Sequence, residues 1–448
     1  MNSLFAAWAT LLGGFALGVT VTGAQTNAPP WPMAKPGAIA RWQAMRFGMF
    51  VHFGPVSLTG HEIGWSRGRE TPVDVYDSLY HRFNPTNFSA DAWVKAAKTA
   101  GMKYLVLTTK HHDGFCLWDT KCTDYSIAHT PFRRDIVDEV ARACRQQGLA
   151  FGAYYSTCDW HHPGFPVTSP GGTVKREKSD LDAYNRYLLA QVTELITRYG
   201  PLVTIWNDVP QFFEGRGAQT IKLARALQPD ILLNDRTGDG GDYDTPEQRI
   251  GKYQDNRPWE TCMTICEQWS WKPNDRLKSL AQCVRALVLC AGGDGNLLLN
   301  VGPMPTGEIE PRQVQRLSEI GAWLETHGES IYRTRGGPWK PNRSLAATRA
   351  GRTVYLHLLT QVSDMVVLPD LSRRVVRASL LNGTRIPLTQ KDGKLILTVP
   401  SSGRESIDTI VKLQLDGSAM DLPAQEVPQD NRAATEPPAM PAGELPPG

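Results

Sequence analysis

Apolar residues recur along this chain in two rhythms. Short, mostly apolar runs read as buried strands: FGMFVHFG (47–54), KYLVLTTK (103–110), LAFGAYYS (149–156), PLVTIWND (201–208), DILLNDR (230–236), WETCMTI (259–265) and GNLLLNVGP (295–303). Between them lie amphipathic stretches at 91–101, 134–148, 181–200, 221–229, 277–292 and 311–328, several ending at Gly, which predict helices. Strand and helix alternating this long predict a parallel sheet and an α/β fold. They fit a (β/α)8-like TIM barrel over residues 41–338. From about 340 the pattern shortens to RTVYLHLLT, DMVVLPDL, VVRASLLNG, KLILTVP and TIVKLQL, with turn residues between. That predicts a C-terminal antiparallel β-sandwich over 339–417. Residues 418–448, rich in Pro, Ala, Glu and Gln, predict a disordered tail.

The strands end in groups that do not belong in a core. KYLVLTTK runs into His111, His112 and Asp113. The other ends carry His52; Tyr154, Tyr155 and Ser156; Trp206, Asn207 and Asp208; Asn234, Asp235 and Arg236; and Glu260. Buried polar groups cost free energy unless they are paired or used. In a barrel these ends share one rim, where active sites form. No phosphate-binding Gly loop, GxSxG elbow or dinucleotide fingerprint is present. Carboxylates, His, Arg and the 13 Trp of the chain suit sugar chemistry, since aromatic faces stack on sugar rings and carboxylate pairs cleave glycosides.

Charge and the termini add less. Lys+Arg 48 against Asp+Glu 45 leaves +3, which favours a neutral ligand over nucleic acid. The apolar first 24 residues, ending in Thr22-Gly23-Ala24, predict a signal peptide cleaved before Gln25, so the protein is expected in the periplasm or secreted, with no membrane span after cleavage. The alternative is an uncleaved anchor. A Pro-rich lead-in is expected over 25–40. The eight Cys show no CxxC spacing and read mostly as buried free thiols, with a disulfide pair or two permitted.

In order, RFGMFVHFGPVS, KYLVLTTKHHDGFCLWDT, LAFGAYYSTCDWH, YGPLVTIWND, LLNDR, PWETCMT and GNLLLNVGP span about residues 41 to 328. With these motifs the chain resembles the α-L-fucosidases of glycoside hydrolase family 29. The resemblance implies a retaining glycosidase that removes α-L-fucose from oligosaccharides or glycoconjugates and needs no cofactor or metal. It implies Asp208 as nucleophile. It points to Glu247, in GGDYDTPEQ, as acid/base, with Glu260 as the rival. GGDYDTPEQ also resembles the subgroup that prefers α-1,3/1,4-linked fucose. His52, His111 and His112 are implied to bind fucose hydroxyls, with Tyr154 and Arg236 beside the reacting centre and Trp65 and Trp271 against the sugar's apolar face. QWSWKP replaces the family's usual SWGY. The loop GHEIGWSRGRE departs from a commoner Glu-Trp-Tyr form, and Glu62 is expected to take that carboxylate's role. Lys110 and Asp113 are expected to be structural, an Asp–Lys or Asp–backbone clamp that orients the His pair.

Three rivals stand beside this reading. A metal-dependent barrel hydrolase would use His111, His112, Asp113 and Asp208, but adjacent His on a strand are expected to point to opposite sides. A non-catalytic carbohydrate-binding relative would have lost turnover. A glycosidase of the same fold could act on another sugar, such as galactose.

Overall fold

The computed structural model describes residues 31–210, 212, 215–360 and 363–428. The expected signal peptide, the start of the lead-in and the end of the tail lie outside them. Seven parallel strands form one sheet among the described residues: β1 (Phe47–Val51), β2 (Tyr104–Lys110), β3 (Ala150–Ser156), β4 (Leu202–Asp208), β5 (Leu232–Leu233), β6 (Glu260–Thr264) and β7 (Asn296–Val301). Their order is β5-β4-β3-β2-β1-β7-β6. The helices are α1 (Pro36–Met45), α2 (Val73–Ser78), α3 (Ala90–Thr99), α4 (Ile136–Gln147), α5 (Leu181–Tyr199), α6 (Gly217–Leu227), α7 (Leu280–Gly292) and α8 (Pro311–His327). Ser89, Asp135, Asp180 and Ser279 each cap a helix by accepting a backbone N–H.

Alternation along the strands sorts the core into two faces. Met49, Val51, Leu105, Leu107, Phe151 and Ala153 pack outward into the helix layer. Phe50, Tyr104, Val106, Tyr154, Trp206, Leu232, Cys262 and Leu298 form a second, inner cluster. The helix α1 contributes Ala38 and Trp42 to that inner cluster, and Trp42 lies 4.5 Å from the Tyr243 ring. The lead-in expected over 25–40 is therefore helical from Pro36 onward.

The expectation of eight strands meets a different arrangement. The edge strands β5 and β6 do not pair. The segment 242–248 runs between them, bonded on both sides. Asp242 donates to Leu233 O at 2.7 Å and Asp235 to Tyr243 O at 2.9 Å, while Glu260 donates to Asp244 O at 2.9 Å and Gln248 to Cys262 O at 2.9 Å. Gly241 permits this approach, because a Cβ there would meet Asn234 O at 2.1 Å.

Eight further strands follow: β8 (Arg335–Gly336), β9 (Leu345–Ala350), β10 (Thr353–Leu358), β11 (Met365–Pro369), β12 (Val375–Leu380), β13 (Leu388–Lys391), β14 (Lys394–Thr398) and β15 (Thr409–Leu415). They form antiparallel sheets of order β12-β15-β10-β9-β8 and β11-β14-β13 around a shared core of Leu356, Leu395, Leu397, Val411 and Leu413. The tail expected to be disordered from 418 instead packs here as far as 428. Ala419 and Leu422 are buried, and Gln425 bridges to Trp339. All eight Cys are free thiols. No helix of the described residues is long and apolar enough to cross a membrane.

The sheets meet through one buried charge network. Arg46, just before β1, reaches Asp294 at 2.6 Å, and Arg335 and the Gly336 amide of β8 bind the same carboxylate. Arg46 and Asp294 are essentially inaccessible to solvent. Asp294→Ala leaves Arg46 buried without a counter-charge, so it is expected to lower unfolding stability by about 3–5 kcal/mol. Urea unfolding measures this; a loss under about 1 kcal/mol would contradict the account.

Candidate active site

The chemistry gathers where β1 to β4 end. Asp208, the last residue of β4, is held by several donors. Arg236 Nη1 donates to its Oδ1 at 2.8 Å, the Val209 amide to the same oxygen at 2.9 Å, and Tyr154 Oη to Oδ2 at 2.8 Å. Val209 has φ of 50°, a left-handed conformation that is strained for a β-branched residue. Thr157 pins that turn by donating to the Val209 carbonyl at 2.6 Å. Asp208 caps no helix, since α6 starts only at Gly217.

Arg236 has almost no freedom. Its Nε and Nη2 donate to Thr245 Oγ1 and O at 2.9 and 2.8 Å, and its guanidinium lies 5.0 Å over the Trp206 ring. The Nη1 that binds Asp208 also donates to Glu247 Oε2 at 2.9 Å. Glu247 sits on the bridging segment 242–248, its side chain 30% exposed beside the more enclosed Asp208 at 15%.

The two carboxyls are pushed apart electrostatically. Burial works to raise Asp208, but Arg236 and Tyr154 outweigh it and hold its carboxyl below the usual range. Burial raises Glu247, the Arg236 charge opposes it, and the Asp208 charge raises it further; the net shift is upward. One carboxyl is therefore biased toward ionisation and its neighbour toward holding its proton. The rival Glu260, expected at a strand's outgoing end, instead opens β6 and is fully enclosed in the inner core, its oxygens accepting from Tyr104 Oη and from Trp206 Nε1, the latter at 3.0 Å.

The three expected His residues converge. The chain leaves β2 after Lys110, so His111 and His112 do not alternate as strand residues would; their rings lie 3.8 Å apart. His52 is 5.6 Å from His111, and His112 Nε2 is 3.7 Å from Asp208 Oδ2. Burial lowers all three, His52 to about 3 and His112 to about 4, so they are neutral at ordinary pH. Asn300 donates to Trp269 O at 2.7 Å, so its Oδ1, 2.6 Å from His52 Nδ1, accepts. Ser156 Oγ donates to Cys158 O at 2.8 Å and accepts from His112 Nδ1 at 2.7 Å. In His52 and His112 the Nε2 atom is thus left as an acceptor. Among the described residues no group of His, Cys, Asp or Glu has the arrangement of a metal site.

Other expected residues take different places. Trp65 packs edge-on against His112 at 5.4 Å and Trp160 at 5.6 Å. Glu62 is a brace between loops: it accepts from the amides of Ile63, Trp269 and Ser270 at 2.9–3.1 Å and from Ser270 Oγ at 3.1 Å. Trp271 is partly buried on that loop, but it is Trp269 whose ring lies 4.8 Å from His52. Of the two clamps expected, the Asp–backbone one is present, with Asp113 accepting from the Phe115 amide at 3.2 Å, and the Asp–Lys one is not. Lys110 pairs with Asp159 at 3.1 Å, and Asp113 accepts from Tyr76 Oη at 2.6 Å. Trp269, Trp160 and Asn300 were not expected at the site. The signal for them was place: Trp269 lies two residues before Trp271, Trp160 in LAFGAYYSTCDWH and Asn300 in GNLLLNVGP.

A family model described as alpha-L-fucosidase matches residues 18–329. The chain belongs to that family. Tissue alpha-L-fucosidase of Bos taurus is 27% identical over 368 residues, covering 74% of this chain and 77% of that protein. Putative alpha-L-fucosidase 1 of Oryza sativa subsp. japonica is 31% identical over 342 residues, covering 68% and 62%. The solved structure of alpha-L-fucosidase isoenzyme 1 from Paenibacillus thiaminolyticus matches with a TM-score of 0.78 at 34% identity, over 85% of this chain and 99% of that one. That of Thermotoga maritima alpha-fucosidase, in complex with a mechanism based inhibitor, gives 0.72 at 27% identity, over 84% and 96%.

This α-L-fucosidase, a glycoside hydrolase, should show a bell-shaped dependence of kcat/KM on pH. Asp208 is expected to titrate below the usual carboxylate range and Glu247 above the usual Glu value, and as the reacting pair they would set the acid and alkaline limbs. Arg236 lowers both groups, so Arg236→Met is expected to move both limbs to higher pH, the acid limb by about one unit or more. Limbs that stay in place would contradict the geometry.

Proposed function

We propose that this fucosidase is an exported, retaining enzyme acting by double displacement, with Asp208 as nucleophile and Glu247 as acid/base. The observation that carries this is the single nitrogen, Arg236 Nη1, shared by both carboxylates. Two oxygens bonded to one nitrogen are closer than the roughly 6.5–9.5 Å that an inverting pair needs to admit water.

Asp208 attacks C1 of the fucoside while Glu247 gives its proton to the departing glycosidic oxygen, leaving fucose as an ester on Asp208. The Asp208 charge that held Glu247 protonated is then gone. Arg236 now faces only Glu247, which favours its ionised form. Glu247 takes a proton from water, whose oxygen attacks C1 and frees Asp208. Two inversions give net retention.

The His acceptors at Nε2 of His52 and His112 suit hydroxyl donors of fucose. His111 Nδ1 lies against Gly64 without a partner, which favours the tautomer with its proton on Nε2, a donor. We infer that 242–248 serves as the eighth strand and closes the sheet into a barrel, so that Glu247 is delivered at the same rim as Asp208. The resemblance of GGDYDTPEQ supports α-1,3/1,4 linkage preference, and the apolar N-terminus supports export to the periplasm or medium.

Proton NMR of the first product tests the stereochemistry: α-L-fucose ahead of mutarotation is expected, and β-L-fucose first would overturn retention. For linkage, free fucose from a Lewis-type trisaccharide is expected to exceed that from 4-nitrophenyl α-L-fucoside. The reverse ranking would place the enzyme in the broader-specificity group.

A further inference from the structure

Glu260 is a buried carboxyl that the double displacement does not use. It sits at the start of β6 inside the sheet, with no solvent exposure and no ion pair among the described residues. Burial pushes it up to about 7. A charge-capable group in such a place costs free energy, and its hydrogen bonds indicate what it does.

One of its two bonds leads toward the reacting centre. Trp206 Nε1 donates to Oε1 at 3.0 Å, and Tyr104 Oη donates to Oε2. Space for Tyr104 is made by Gly48 on β1, where a Cβ would come within 2.4 Å of the Tyr ring. The Trp206 ring is in turn the floor for both groups that hold Asp208. Tyr154 stacks on it, with centroids 5.7 Å apart and planes 20° from parallel, and the Arg236 guanidinium rests 5.0 Å from it. Tyr154 and Arg236 then each bind one oxygen of Asp208. Phe50, 5.3 Å away, braces another side of the indole.

We propose that Glu260 is a positioning residue: its bond to Trp206 fixes the indole as a platform that aligns Tyr154 and Arg236 on the nucleophile. An indole has one N–H, so a single acceptor sets its rotation about χ2. A rotated ring would tilt Tyr154 and release Arg236 together. The inference rests on Asp208 being the nucleophile and Glu247 the acid/base.

Three variants test it: Glu260→Gln, which keeps one acceptor but cannot accept from both donors; Trp206→Phe, which keeps a ring but removes the N–H; and the double variant. Each single variant is expected to lower kcat on 4-nitrophenyl α-L-fucoside by about 10- to 100-fold with KM changed less than about threefold, in the range seen when supporting groups are removed. The double variant should lose no more than the larger single loss, because both changes break one linkage. Losses that multiply would overturn the platform, as would a Glu260→Gln enzyme with unchanged kcat; either leaves the roles of Asp208 and Glu247 standing. Glu260→Ala and Glu247→Ala, assayed with sodium azide, separate the two readings. Azide is expected to restore turnover to Glu247→Ala alone, and Glu260→Gln is expected to keep the alkaline limb of its pH profile. Azide rescue of Glu260→Ala with loss of that limb would make Glu260 the acid/base and overturn both. Thermal unfolding of each variant accompanies the kinetics; a kcat loss that tracks only loss of folded protein would also sink the proposal.

Discussion

The site depends on one nitrogen that serves two carboxylates. Arg236 Nη1 lies within hydrogen-bond distance of both Asp208 and Glu247. A cation between two anions would ordinarily keep both ionised. Here Asp208 takes more of the stabilisation, through Tyr154 and the Val209 amide. Glu247 has Arg236 alone, and its neighbour's charge works against it. The asymmetry of donors, more than any intrinsic difference between Asp and Glu, divides the two protonation states.

The fold supplies that asymmetry. A rigid strand end carries Asp208, where strain at Val209 aims an amide at the carboxylate. A less regular segment, held between β5 and β6 by backbone hydrogen bonds, carries Glu247. Beneath both lies an aromatic floor of Phe50, Tyr154 and Trp206, part of the inner cluster that alternation along the strands places away from the helices. Neutral His rings line the side, and the Nδ1 atoms of His52 and His112 are already engaged by Asn300 and Ser156.

Much of this was legible in the residues. The seven strands and six helices read from the apolar pattern are all present, because strands buried on both faces read as plain apolar runs and the helices carry periodicity and caps. The strand-end groups His52, His111, His112, Tyr154, Asp208 and Arg236 converge as their spacing implied. Less legible were features set by tertiary contact. Segment 242–248 has no apolar rhythm, so its place between two strands could not be read. Glu260 follows a Trp on a strand, and only the three-dimensional register shows that it faces the core. Asp159 displaced Asp113 as the partner of Lys110 through a loop closure 49 residues away in sequence. Trp269 stands by His52, where Trp271 was expected, because loop residues obey neither the strand nor the helix period.

The central claim is that Asp208 becomes covalently joined to fucose. Incubation with 2-fluoro-fucosyl fluoride, followed by proteolysis and tandem mass spectrometry, tests it directly. The account predicts one fluorofucosyl group, on Asp208, in the peptide containing β4, with activity lost in step with labelling. A label on Glu247, Glu260 or another carboxylate, or inactivation with no adduct on the β4 peptide, would contradict it.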